Sequence, residues 1–158
     1  MPEHWKTALS ITGSLSLKIA EKKGNQMHML KKILHVDDDP DIREIALIAL
    51  ETVGGFTIFQ CSSGQEALDC VGDFKPDLIL LDVMMPDMDG VQTSENLKKN
   101  AEFEFTPVIF VTARAHEESI AALLETGAAG VVTKPFDPMT LGEQVQNIWN
   151  RTRENQLP

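Results

Sequence analysis

The stretch Leu78-Ile79-Leu80-Leu81-Asp82-Val83-Met84-Met85-Pro86-Asp87-Met88-Asp89-Gly90 decides the fold. Its four opening residues are large and apolar with no polar alternate, which predicts a strand covered on both faces, as in a parallel sheet. The run stops on a carboxylate. An Asp at the carboxyl end of such a strand stands where open α/β sheets place their ligand chemistry. The tail is a turn, in which Pro86 fixes φ and Gly90 supplies conformational freedom. Alone, Asp82 would read as a strand-terminating turn residue; its partners elsewhere change that.

Upstream, Lys32–Val36 predicts a first strand that ends on Asp37-Asp38-Asp39-Pro40. His35 in its middle reads as a core histidine with a hydrogen-bond partner. Asp39 is a good helix N-cap with Pro40 at the first helical position. The helix that follows places Ile42, Ile45, Ala46, Ala49, Leu50 and Val53 on one face, and Gly54-Gly55 stops it. Phe56–Cys61 is a second strand. Ser63 to Glu66 reads as a capping box that opens a helix with Ala67, Leu68, Val71 and Phe74 inward.

Downstream of Gly90 a third helix runs to about Asn100 with a thin apolar face, Val91 and Leu97. Pro107–Val111 is a fourth strand that leads into Thr112-Ala113-Arg114. Residues 116–126 form a helix with Ile120, Leu123 and Leu124 inward, closed by Gly127. Gly130–Thr133 is a short fifth strand ending on Lys134-Pro135-Phe136, and the last helix runs from Pro138 to about Arg151. Five strands alternate with five helices over short connections. This rhythm predicts a doubly wound parallel α/β sheet with right-handed crossovers, flavodoxin-like, in the order 2-1-3-4-5. The globular domain is expected over residues 31–151, with 1–30 as a poorly ordered N-terminal extension and 152–158 as a frayed tail.

Composition agrees with one such domain: 158 residues, 42% apolar and 24% charged. The net charge of −10 is uneven, since residues 1–30 hold four lysines against two glutamates and leave −12 on the rest. So acidic a body disfavours direct DNA binding, which needs phosphate neutralisation by Lys and Arg. No apolar run approaches the roughly 20 residues of a membrane span. The N-terminus lacks the cationic start of a signal peptide, so a cytoplasmic location is expected. Cys61 and Cys70 have neither metal-ligand spacing nor a disulfide framework and read as packing residues.

The expected strand order brings Asp37, Asp38, Asp82, Thr112 and Lys134 to one edge of the sheet. Three adjacent carboxylates repel one another, and helix capping accounts only for Asp39. The rest suggest an oxygen-seeking cation such as Mg²⁺. The set suits phosphoryl transfer to a carboxylate, which depends on positioning and charge neutralisation. Asp82 is then the nucleophile. Asp38 and Asp82, with a backbone carbonyl just beyond, hold Mg²⁺, and Asp37 tightens it. Lys134 pairs with a phosphoryl oxygen and Thr112 donates to another.

Ile33 to Pro40, Leu81 to Gly90, Val111 to Arg114 and Thr133 to Phe136 together resemble the receiver domain of two-component response regulators. The resemblance covers residues 31–151. It implies that Asp82 takes phosphate from a sensor histidine kinase or histidine phosphotransfer protein, that the Met84 carbonyl joins Asp38 and Asp82 on Mg²⁺ with Asp37 in the acidic pocket, and that the Lys134–Pro135 bond is cis. It also implies a protein that catalyses only its own phosphorylation and dephosphorylation. The surface of helix 4, strand 5 and helix 5 would signal to a downstream protein. Only seven residues follow Arg151, which suggests a stand-alone receiver of the chemotaxis type. Val131 stands where many receivers carry an aromatic switch residue. Two rivals are an aspartate-nucleophile phosphatase of the haloacid-dehalogenase type, to which Asp37-Asp38-Asp39 has a superficial likeness, and an unphosphorylated pseudo-receiver scaffold.

Overall fold

In the computed structural model, which describes residues 28–156, strand β3 (Leu78–Asp82) is buried at every position. It lies between β1 (Lys32–Val36) and β4 (Val108–Thr112), with β2 (Thr57–Cys61) and β5 (Gly130–Thr133) at the edges. All four pairings are parallel, in the order β2-β1-β3-β4-β5. Burial follows position. β4 is as buried as β3, whereas the edge strands alternate buried or half-buried residues with more exposed ones, as one-sided neighbours require.

Helices cover both faces. Leu34, Val36, Ile79, Leu81 and Phe110 point to one side and join Ala67 and Val71 of α2 (Gly64–Phe74), Leu97 of α3 (Gly90–Lys98) and Leu123 of α4 (Glu117–Glu125). Ile33, Leu80, Ile109 and Val111 point to the other. They meet Ala46, Ala49 and Leu50 of α1 (Pro40–Leu47, continuing as a π-wound segment Ile48–Val53) and Leu141, Val145, Ile148 and Trp149 of α5 (Leu141–Asn155). No described helix is long and apolar enough to cross a membrane.

Several expectations need correction. Ile45 and Val53 are exposed. The Gly54 N–H bonds the Ala49 carbonyl, five residues back, at 3.0 Å. That wider winding loses the 3.6-residue phase, so Val53 turns outward, while Ile45 flanks a stripe centred on Ala46, Ala49 and Leu50. Leu124 is likewise exposed, because Leu123 takes the inward position of α4. Helix α5 begins at Leu141, after a turn in which the Asp137 carboxylate accepts the Met139 N–H at 2.8 Å. It continues through Asn155, so Thr152–Asn155 is helical and not a frayed tail. Phe103, in the loop after α3, is buried in the core although no periodicity marks it.

The proposed capping box of α2 is half formed. Ser63 accepts the Glu66 N–H, but the Glu66 carboxylate reaches back to the N–H and hydroxyl of Ser62. A full box stands at α3, where Asp89 and Gln92 satisfy each other's backbone N–H groups. Such a cap contributes about 1 kcal/mol and holds a helix whose apolar face is thin. Of the N-terminal extension, residues 1–27 lie outside the described residues; Leu30 belongs to the core.

Candidate functional site

Strand register assembles the site. Val36 lies beside Leu81, Asp82 beside Val111, and Thr112 beside Thr133, so the four strands end together. The next side chains off that edge are Asp37, Asp82, Thr112 and Lys134. Lys134 Nζ sits 2.9 Å from Asp37 Oδ2 and 3.0 Å from Asp82 Oδ1. The Lys134 N–H also donates to the Thr112 carbonyl at 2.8 Å, which fixes the base of the side chain that spans the pocket. The Lys134–Pro135 bond is cis.

Asp37 is fully buried, Asp82 nearly so, and Asp38 exposed; their carboxylate oxygens lie within 4.8 Å of one another. Burial pushes the Asp82 carboxyl up to about 6, Asp37 and Asp38 add to that, and Lys134 opposes it. Burial would lower Lys134, but its bonds to Asp37 and Asp82 prevail and raise it. One ammonium thus pairs with two of the three carboxylates in the cluster. The surplus negative charge and the all-oxygen donor set fit a hard divalent cation, Mg²⁺.

The backbone around Asp37 is pinned on every side. Its N–H donates to the Cys61 carbonyl at 3.1 Å, its carbonyl accepts from Arg43 Nη1 at 2.7 Å, and its Oδ1 accepts the Asp39 N–H at 2.9 Å. Asp39 caps α1 through the Asp41 N–H, the role its position suggested. Gln60 Nε2 donates to the Arg43 carbonyl at 2.7 Å and lies 3.0 Å from His35 Nδ1. Burial, then Lys134 and Arg43, hold the His35 pKa down at about 3, so the ring is neutral and structural. Arg43, Gln60 and the Cys61 carbonyl support the site without a motif to announce them; the nearest signal is a cation one turn after the acidic triplet.

Thr112 is buried, and its hydroxyl oxygen accepts the Arg114 N–H at 3.0 Å, tying it to the loop before α4. Beyond Asp82 the chain folds back so tightly that the Gly90 N–H bonds the Val83 carbonyl at 2.8 Å. A Cβ at Gly90 would overlap the Asp82 carbonyl oxygen and stand 2.9 Å from Val83 Cα. Backbone cannot yield as a side-chain tip can. Gly90→Ala is therefore expected to cost about 2–3 kcal/mol in urea unfolding and to displace Asp82. An unchanged midpoint would show that the loop relaxes freely.

The family model described as the response regulator receiver domain matches residues 33–146. The chain is 38% identical over 122 residues to the phosphate regulon transcriptional regulatory protein PhoB of Pseudomonas aeruginosa, covering 77% of this chain and 53% of that protein. It is 36% identical over 119 residues to response regulator Rre1 of Synechocystis, covering 75% and 52%. The chain thus spans about half the length of these curated relatives. Among solved structures, the chemotaxis protein CheY4 of Vibrio cholerae is similar with a TM-score of 0.70 at 30% identity, over 76% of this chain and 99% of that one.

Proposed function

The chain belongs to the response regulator receiver domain family, and from that premise we propose that Asp82 accepts a phosphoryl group from a sensor histidine kinase or a histidine phosphotransfer protein. The observation that carries this is Lys134 shared between Asp37 and Asp82, with Asp38 and the Thr112 hydroxyl at the same strand edge. The P–N bond of the donor phosphohistidine breaks, its electrons leave with the imidazole, and an Asp82 oxygen forms the new P–O bond. Asp38, Asp82 and the Met84 carbonyl, with Asp37 behind them, would hold Mg²⁺. When bound, that ion offsets the charge that builds on the phosphoryl oxygens. Lys134 moves from Asp82 Oδ1 to a phosphoryl oxygen, and Thr112 turns its hydroxyl proton to another.

A haloacid-dehalogenase-type phosphatase would centre its chemistry on the first strand and leave Asp82 idle, whereas here Asp82 is a full member of the cluster. A passive scaffold gains nothing from a buried carboxylate whose pKa is raised by burial and then by two neighbouring carboxylates. The chemistry of this family is confined to its own Asp, so the output is protein contact, as the likeness to a chemotaxis protein suggests. The proposed setting is the cytoplasm. The test is phosphotransfer from candidate histidine kinases and from acetyl phosphate with Mg²⁺. One acid-stable, base-labile phosphoryl group per chain is expected; no uptake from any donor would overturn the proposal.

The route outward runs through Thr112. Its hydroxyl can donate to the phosphoryl group while its oxygen still accepts the Arg114 N–H, so movement of Thr112 drags the loop into α4. The face of α4, β5 and α5 is thus the surface proposed to meet a downstream protein. Val131, half-buried beside Phe110 in β4, is too small and too stiff at χ1 to swing as an aromatic ring would. The switch is therefore a shift in loop population. Thr112→Ala should remove most of the beryllofluoride-dependent gain in partner affinity and leave Asp82 able to accept phosphate, while Val131→Ala should change little. Full phosphate-dependent binding in Thr112→Ala, or its collapse in Val131→Ala, would mean that the signal travels elsewhere.

A further inference from the structure

The two cysteines that read as separate packing residues meet. Cys61, the last residue of β2, is buried; Cys70, in the middle of α2, is partly exposed. Their sulfurs are 3.1 Å apart. A covalent bond needs about 2.05 Å, an approach of roughly 1 Å. The neighbourhood leaves little slack to absorb it harmlessly. The Glu66 carboxylate clamps Ser62, the joint between β2 and α2, through its N–H at 3.0 Å and its hydroxyl at 2.8 Å. The Cys61 carbonyl is the acceptor for the Asp37 N–H. Thus Cys61, one of the two residues that closing the bond would draw together, also anchors the innermost carboxylate of the acidic pocket.

We propose that Cys61 and Cys70 form a reversible disulfide with low-molecular-weight disulfides as oxidant, and that closing it loosens the acidic pocket. The partly exposed Cys70 thiol loses a proton and attacks one sulfur of the oxidant, forming a mixed disulfide and releasing one thiol. Cys61 then loses its proton and attacks Cys70 Sγ, releasing the second thiol. Two protein thiols become one disulfide while the oxidant disulfide becomes two thiols, so electrons and protons balance. Cys61 is buried and Cys70 partly exposed, which assigns the first attack to Cys70 and keeps Cys61 inert until its partner is modified. The first half of this proposal stands on the sulfur geometry alone, and the second rests on Asp82 being the phosphoryl acceptor.

The experiment treats the folded full chain with glutathione disulfide at neutral pH, then measures free thiols and intact mass under denaturing, non-reducing conditions. Both thiols should disappear from a monomer that carries no glutathione, and dithiothreitol should restore them. Cys61→Ala should trap a glutathione adduct on Cys70, and Cys70→Ser should stay unmodified because Cys61 is buried. Two surviving thiols, a stable adduct on the unaltered protein, or a disulfide between chains would overturn the switch. The oxidised protein should take phosphate from acetyl phosphate severalfold more slowly, recover with dithiothreitol, and show no such change in Cys70→Ser. An unchanged rate would overturn the link to the pocket. If the reduced protein takes no phosphate, the function proposed for Asp82 fails while the thiol count still decides the disulfide.

Discussion

Asp82→Asn is expected to abolish phosphoryl uptake and, in the metal-free protein, to raise stability. The first effect follows from the chemistry. An amide oxygen has neither the charge nor the basicity to displace imidazole from phosphorus, and neither of the other two carboxylates in the cluster replaces Asp82. Asp37 is fully buried, and Asp38 is exposed at the pocket's lip. No base-labile label should survive, and labelling that persists would remove Asp82 from the centre of the mechanism. The second effect follows from linkage. Folding raises the Asp82 pKa from 3.8 to about 6, so the native state binds this proton more tightly than the unfolded chain does. Its contribution to stability is then fully present below about 3.8 and is lost as pH rises through about 6. At neutral pH the ionised side chain costs up to roughly 3 kcal/mol, an upper limit that the weaker bond from Lys134 to an amide reduces. Melting with EDTA at pH 7 should show the variant higher by some degrees, and the gap should close at pH 4. Excess Mg²⁺ should reverse the order, because only the native carboxylate set gains from binding. A variant that is less stable than the parent under EDTA at pH 7 would show that the Lys134 bond outweighs burial.

Two parts of this structure were readable from sequence because they rest on local physics. Leu78–Leu81 had to be covered on both faces, and it is. Asp39 had to be a cap, because three carboxylates with one helix start leave one of them that role. The assembly of Asp37, Asp82, Thr112 and Lys134 was legible for a further reason: parallel strands share a direction, so residues ending successive strands converge whatever lies between. What stayed hidden depends on side chains that meet across elements. The Arg43 bond to the Asp37 carbonyl joins residues six apart around a helix start, and nothing in a lone Arg marks it. Cys61 and Cys70 lie nine residues apart, with no motif spacing, yet β2 and α2 fold them together. The π winding of Ile48–Val53 escaped because periodicity assumes one helical pitch.

Asp38→Ala and Asp39→Ala should separate sharply, although the two residues are adjacent and chemically identical. Asp38 is exposed, yet it lies within the oxygen cluster with Asp37 and Asp82. Removing it takes away one of the few charged ligands, on which affinity for a hard cation depends, and no neighbour stands ready to substitute. Mg²⁺ affinity and the rate of Mg²⁺-dependent phosphorylation should each fall by about 100-fold or more. Folding should suffer little, since an exposed like charge is being removed beside two others. Asp39 has the opposite balance. Its side chain accepts the Asp41 N–H at 2.9 Å, so alanine costs the start of α1 about 1 kcal/mol, read in urea unfolding. Its contribution to the pocket is its backbone N–H, which donates to Asp37 Oδ1 at 2.9 Å and survives in alanine. Mg²⁺ affinity in Asp39→Ala should therefore stay within a few-fold of the parent. Calorimetric titration of Mg²⁺ into both variants decides the matter. If Asp39→Ala loses more affinity than Asp38→Ala, the roles are exchanged, and the exposed member of the cluster is not a ligand.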